Sequence, residues 1–319
     1  MAEGNIAAVH LEDPEATTDE LVDSIRQAAR RFRRRGAVVA LSGGIDSSTC
    51  VGLAVRALGA QRVRAISLPD KESSTSTVGF AEEVADEFGV SLEVRDITAP
   101  LAALGAYADR LAVVRQYEPD FDDAAGDRFS VEFETATGEG ERLQSFCLNV
   151  ERGDRRTRHR LGGRDFLAIM AATNLKQRLR MASTYRIADE ENLLVIGTSN
   201  RLEIDQGFFV KHGDGCGDVF PLRPLLKSHV YDVAKVLKVP QAVIERAPTT
   251  DTFSAEQTQE AYFYGTSIET GDRLWLGWHE GEPAAAVAAE LGMSESDVQK
   301  FFDTYRRRSE YAEYLTTTI

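Results

Sequence analysis

The chain has 319 residues, 43% hydrophobic and 28% charged, which excludes global disorder and gives length for one large α/β domain with at most a modest appendage. Its 37 basic and 51 acidic residues leave a net charge of −14, an argument against non-specific affinity for nucleic acid or an anionic membrane. Apolar runs are strand-sized, the start Met1-Ala2-Glu3-Gly4 lacks signal-peptide order, and Cys50, Cys147 and Cys216 share no metal spacing, which together suit a reducing cytoplasm.

Residues 1–16, with Pro14 and scattered acids, read as a loose leader. Thr17-Thr18-Asp19-Glu20 look like a helix start, and Leu21, Ile25, Ala28, Ala29 and Phe32 recur at helical spacing up to Gly36. Arg30, Arg31, Arg33, Arg34 and Arg35 fall in its last turns, where cations oppose the dipole favourably; a solvated helix end is the better reading than a nucleic-acid patch. Ala37 to Leu41 is a short apolar strand, followed by a loop, Ser42 to Ser48, and a helical stretch to Leu58. Arg62 to Leu68 and Ser91 to Asp96 are further strands, with a helix from about Thr77 to Phe88 between them. This alternation with short links predicts a doubly wound parallel sheet flanked by helices. A later strand, Asn192 to Ile196, ends at Gly197-Thr198-Ser199-Asn200, so both loops belong at the ligand-binding edge of such a sheet.

Residues 118–163 break the pattern. Arg128 to Glu134 and Ser145 to Glu151 alternate apolar and polar around Gly138-Glu139-Gly140, which predicts an inserted β-hairpin, a surface excursion or a lid. Arg152 to Arg164 is Arg- and Gly-rich, and Arg164 to Tyr185 is helical. Ser228 to Lys238 is helical, and Asp272 to His279, Ala284 to Leu291 and Glu295 to Tyr314 make residues 250–319 a helical C-terminal region of a single domain spanning 1–319. Tyr262, Phe263, Tyr264, Trp275 and Trp278 read as core or dimer surface, and no histidine pair has ligand spacing.

Ser42-Gly43-Gly44-Ile45-Asp46-Ser47-Ser48 carries the chemistry. Paired glycines let the backbone approach a ligand, and amides with serine hydroxyls at a helix start cradle an anion. The spacing and lysine of a Walker loop are missing. Asp46 beside phosphate requires a bridging cation, so Mg²⁺ is implied. A small-residue turn for tight strand–helix packing is the bland alternative.

This motif resembles the pyrophosphate-binding loop of the N-type ATP pyrophosphatases, of adenine nucleotide α-hydrolase-like fold, which cleave ATP between the α- and β-phosphates. Further segments are similar to the ammonia-dependent NAD synthetases of that superfamily: Gly197 to Phe209 (GT…E…GFF), Lys211-His212-Gly213-Asp214-Gly215-Cys216-Gly217-Asp218, Lys227, Pro248-Thr249-Thr250-Asp251 and the Asn174 to Met181 helix. The resemblance implies ATP and Mg²⁺ as cofactors, a carboxylate and ammonia as substrates, an acyl-adenylate on the way to an amide, a homodimer, and no glutaminase, so ammonia is free or delivered by a separate partner. Carried over by motif, Ser42 to Ser48, Thr198, Lys227 and Thr249 hold ATP, and Asp46 and Glu203 hold the metal. Arg178, Lys211 and Asp218 face the acyl substrate, with Asp46, Lys211 and Asp214 catalytic; the acidity of the loop itself makes Asp214 or Asp218 the candidate acceptor of the ammonium proton. Cys216 stands at a family glycine and reads as a spacer.

Three departures touch the acceptor side. The acids usual after the PTAD-like motif are thinned across Glu256 to Gly265, Tyr311 and Ala312 stand where His and Lys are expected, and 118–163 is extra. Two other readings therefore stay open: an amide ligase of this family acting on another carboxylate, and a non-catalytic nucleotide-binding protein. Thiolation of tRNA would want paired reactive cysteines and a basic surface.

Overall fold

Asp13 opens the first helix: its carboxylate accepts the Ala16 N–H at 2.9 Å, and Pro14 takes the N1 position, so α1 (Pro14–Arg31) begins ahead of Thr17. Residues 9–16 of the leader are not loose either, since Val9 is buried and Asp232 accepts from the Leu11 N–H while pairing with His10; residues 1–8 lie outside the described residues. The computed structural model describes residues 9–74, 76–135, 144–247, 249–250, 253–255, 257–258 and 264–317.

Strand and helix then alternate through β1 (Gly36–Ala40), α2 (Ile45–Leu58), β2 (Val63–Ser67), α3 (Ser76–Phe88) and β3 (Ser91–Val94), followed by α4 (Thr98–Ala103) and α5 (Ala106–Tyr117). After the insertion, β4 (Arg128–Thr135), β5 (Gln144–Arg152) and β6 (Arg155–Leu161), come α6 (Gly163–Glu191) and β7 (Leu193–Ile196). Four parallel strands form the main sheet in the order β3-β2-β1-β7, with Val38 paired to Arg64 on one side and to Val195 on the other. Successive side chains serve opposite faces. Ala37, Val39, Leu194 and Ile196 join α1 and α2 in one core cluster; Val38, Ile66, Leu193 and Val195 join α4, α5 and α6 in another. Burial on both faces is why these strands read as continuous apolar runs.

The insertion is a three-stranded antiparallel sheet, β4-β5-β6, rather than a hairpin. Phe129, Val131, Leu148 and Val150 pack with Ile169 of α6 into a core of their own. The third strand, β6, was hidden in the sequence because its inward face is mostly polar. Thr157 Oγ1 donates to buried Glu118 at 2.7 Å and His159 Nε2 lies 2.8 Å from the same carboxylate, while the arginines between them point out. No apolar alternation marks such a strand. The Gly138-Glu139-Gly140 turn lies outside the described residues.

The remaining chain holds α7 (Arg201–Asp205), α8 (Lys227–Leu237), α9 (Gln241–Glu245), the short pair β8 (Thr249–Thr250) and β9 (Gln257–Thr258), then α10 (Ile268–Glu280), α11 (Ala284–Leu291) and α12 (Glu295–Thr316). Trp275, Val287, Val298 and Tyr305 form the core of this helical end, and Leu202 and Leu226 tie it to the segments after β7. Trp275 and Tyr264 are thus core, as expected for them; Tyr262 and Phe263 lie outside the described residues. None of the described helices is long and apolar enough to cross a membrane.

Candidate active site

β1 and β7 are neighbours, and the chain leaves them toward opposite edges of the sheet, so a crevice opens beyond their carboxyl ends. The Ser42–Ser48 loop follows β1 and Gly197–Asn200 follows β7, as the strand pattern predicted. A cleft of about 1790 Å³ lies there, lined by Ser42, Asp46, Thr198, Glu203, Asp214 and Arg178 among others.

The loop is built for close approach. Gly43 has φ 70°, and a Cβ there would sit 2.6 Å from Phe80 Cβ. Gly43→Ala is therefore expected to cost about 1–3 kcal/mol of stability, which thermal unfolding of the ligand-free protein measures. Gly44 caps α2 without a side chain, leaving the helix's first amides for a ligand. Ser47 and Ser48 hydroxyls donate to the Gly44 carbonyl at 3.0 and 2.9 Å, and Ser42 Oγ lies 3.2 Å from Ser47 Oγ. Gly43 and Ser48 stand behind the lining; Ser42, Gly44, Ile45, Asp46 and Ser47 form it.

Asp46, Glu203 and Lys227 meet although 157 and 181 positions separate Asp46 from the other two in sequence. Lys227 Nζ pairs with Asp46 Oδ2 from a fully buried position at the start of α8. Asn200 closes a capping box with Glu203 on α7, and its Nδ2 donates to Asp46 Oδ1 at 3.3 Å. Burial first, then the Asp46 charge, push the Glu203 carboxyl up to about 8, and Lys227 only partly offsets them. Burial pulls the Lys227 ammonium down, but Asp46 and Glu203 together raise it. Asp272 on α10 supplies the cap that α8 lacks, accepting the Ser228 N–H at 2.8 Å and its hydroxyl at 2.7 Å; burial lifts that carboxyl to about 6. Two carboxylates against one cation leave the pocket short of positive charge, and this suits a divalent ion bound by one or two carboxylates plus phosphate oxygens.

The acyl-side candidates separate. Arg178 faces the cleft, its Nε donating to the Lys211 carbonyl at 3.3 Å. Lys211 does not reach it: its Nζ donates to the Tyr314 and Thr317 carbonyls at 2.9 and 3.1 Å, holding the end of α12. Asp218 accepts from Tyr185 Oη at 3.2 Å and from the Val195 N–H at 2.9 Å, which fastens the glycine-rich loop to β7. Asp214 does line the cleft, and burial lifts its carboxyl to about 6 against the N–H bonds that pull it down. Burial and Asp214 push the Cys216 thiol up, which makes it a poor nucleophile. Thr249 lies in β8, and its side chain is outside the described residues. Ala312 is buried, whereas Tyr311 lines the cleft.

A buried charge network escaped sequence reasoning. Lys176 lies 3.2 Å from Asp70 and 2.8 Å from Glu72, Arg180 holds Asp70 at 3.1 Å, and Arg110 holds Glu72 at 2.8 Å. Burial would raise the Asp70 carboxyl, but Lys176 and Arg180 outweigh it and hold it below its ordinary value. The readable signal was Asp70 and Glu72 just past a strand end, with Lys176 and Arg180 one helical turn apart. The network fixes the loop after β2 against α6 on one wall of the cleft.

The sequence profile described as NAD synthase matches residues 17–118 and 153–314 and leaves 119–152 unmatched. The protein named NH(3)-dependent NAD(+) synthetase of Rhizobium rhizogenes is 40% identical over 298 residues, covering 93% of this chain and 89% of that relative. The one of Thermotoga maritima is 32% identical and covers 91% and 96%. Among solved structures, the NMN synthetase from Francisella tularensis superposes with a TM-score of 0.65 at 22% identity, over 96% of this chain and 98% of that one. The NH3-dependent NAD synthetase of Campylobacter jejuni, in complex with nitrate, gives 0.63 at 18% identity, over 97% and 98%. Fold, crevice and sequence agree, and the chain belongs to the NAD synthase family.

Proposed function

We propose that the chain is an ATP- and Mg²⁺-dependent, ammonia-using NAD synthetase that converts nicotinic acid adenine dinucleotide to NAD. The observation that carries this reading is the meeting of Asp46, Glu203 and Lys227 at the mouth of the Ser42–Ser48 loop, in the cleft that Arg178 also faces. A carboxylate oxygen of the acid attacks the α-phosphorus of ATP; the bond between the α- and β-phosphates breaks, and pyrophosphate leaves. Ammonia then attacks the acyl carbon, the carbon–oxygen bond to AMP breaks, and the surplus ammonium proton passes to a base.

The chain's residues act by position and charge. The α2 amides and loop hydroxyls hold the departing phosphates, Lys227 pairs with Asp46 and aims it, and Thr198 and Thr249 bound the nucleotide. Arg178 orients the acid. Asp214, with its carboxyl near 6 and facing the cleft, is the best-placed base for the ammonium proton. Asp46 and Glu203 would hold Mg²⁺, which when bound supplies charge neutralisation on the phosphates. Lys211 and Asp218 are read here as positioning residues of α12 and the glycine-rich loop. The resemblance also leads to a homodimer, which light scattering tests, and to free ammonia or a separate donor protein as nitrogen source. Three free thiols suit the cytoplasm.

Incubation with ATP, Mg²⁺, ammonium and nicotinic acid adenine dinucleotide is expected to give NAD, AMP and pyrophosphate in equal amounts. A second reading, amidation of another carboxylate, is favoured by Tyr311 in the cleft and by the unmatched 119–152 segment beside it. Absence of NAD, with pyrophosphate released when other carboxylates are supplied, would select it. Absence of any turnover with all acids would select a nucleotide-binding protein instead.

A further inference from the structure

One face of α6 runs the length of the cleft. Phe166, Met170, Asn174 and Arg178, spaced four apart, all line it, and at the helical rise they span about 18 Å. Arg178 stands at the nucleotide end. The far end is walled by the inserted sheet, with Phe146 of β5 stacked on Phe166 at 3.6 Å between ring centroids and buried Phe253 alongside.

The insertion brings three charged side chains to this end: Asp123, Asp127 and Arg128. Two are spent within the protein. Asp123 pairs with Lys71 at 2.6 Å, and Asp127 with Arg152 at 3.0 Å. Arg128, exposed at the start of β4, has no ion pair or side-chain hydrogen bond among the described residues. In a chain of net charge −14, an uncompensated guanidinium facing a cleft is a site for an anion.

We infer that the inserted sheet forms the far wall of the acyl-substrate pocket and that Arg128 is a specificity-determining residue, contacting the phosphate on the adenosine side of the substrate's tail, the one farther from the reacting carboxylate. Phe146, Phe166 and Met170 provide the apolar surface against which that tail lies. The segment carrying Arg128 falls outside the residues that the family profile matches. The inference rests on the proposed amidation of an anionic, elongated acid.

The test compares nicotinic acid adenine dinucleotide with the shorter nicotinic acid mononucleotide as acids, for the wild type, Arg128→Ala and Met170→Trp, the last filling the far end. Arg128→Ala is expected to lower kcat/KM for the dinucleotide about ten- to a hundredfold, through KM, as loss of a charge-assisted contact does. The mononucleotide should lose less, while the ATP KM and the melting temperature stay put. Met170→Trp should reproduce the same selective loss. An unchanged dinucleotide KM in both variants overturns the inference alone, as does an equal loss for both acids. A wild-type chain that makes no NAD overturns the proposed activity and this inference with it.

Discussion

Lys227→Met is expected to destabilise the protein by about 3–5 kcal/mol, the usual cost of stranding a buried charge, and to abolish NAD formation. Lys227 is fully buried, and its removal leaves Asp46 and Glu203 facing each other without a cation. The double variant Asp46→Asn, Lys227→Met removes one of the opposed charges as well, so most of the lost stability should return while turnover does not. Asp46→Asn alone should be milder for folding, since Glu203 remains to face the lysine, and its kcat/KM should still fall at least about a thousandfold, in the range seen when one group of a catalytic unit is removed. Urea unfolding of the four proteins gives the coupling energy, and the NAD assay gives the activities. Additive stabilities across the cycle would mean that Asp46 and Lys227 are not a unit.

Glu203→Gln separates folding from function in the opposite direction. The folded protein holds a proton on Glu203 up to about 8, whereas the unfolded chain releases it near the ordinary carboxylate value of about 4.3. Across that window the folded state binds more protons, so stability falls as pH rises from the lower value through the upper. Glutamine carries no charge and can still accept the Asn200 N–H that Glu203 accepts at 3.2 Å. The ligand-free variant is therefore expected to melt above the wild type at pH 7.5, by about 2–6 °C, corresponding to one or two kcal/mol. The gap should widen between pH 5 and 8 and level off above. The same change should remove most of the activity and weaken the Mg²⁺ dependence of ATP binding. A variant that melts lower than wild type at pH 7.5 would contradict the charge surplus assigned to this pocket. Natural sites of this kind keep a destabilising carboxylate because the ligand needs it.

What was readable in the chain follows from how each part is stabilised. The strands of the parallel sheet are buried on both faces, so Val38, Val39 and Leu194, Val195 stand out as apolar runs, and the loop after β1 announces itself by chemistry. Strand β6 did not, because Thr157 and His159 turn inward to satisfy Glu118. Motif resemblance located Asp46, Glu203 and Lys227, which do meet, but it grouped Lys211 and Asp218 with Arg178. The first spends its ammonium on α12 and the second its carboxylate on β7. A motif records which residues recur together, whereas the partner of a long side chain is decided by what folds beside it. The Asp70, Glu72, Lys176 and Arg110 cluster went unread for that reason, since the spacing of Asp70 with Glu72 and of Lys176 with Arg180 does not show that the two pairs meet. Its members come from three separate elements and neutralise one another only after packing.

Helix α6 spans 29 residues and is shared between two cores: Ile169 belongs with the antiparallel sheet, Ile187 and Ala188 with the parallel one. One helix therefore samples two separate opening equilibria. Amide hydrogens around Ile169 to Thr173 should exchange at the rate set by loosening of β4-β5-β6, and those around Ile187 to Ala188 at the slower rate set by the main sheet. Deuterium uptake along this single rod then gauges how far the inserted part can come apart while the nucleotide half stays folded. A ligand spanning the cleft would bring the two rates together.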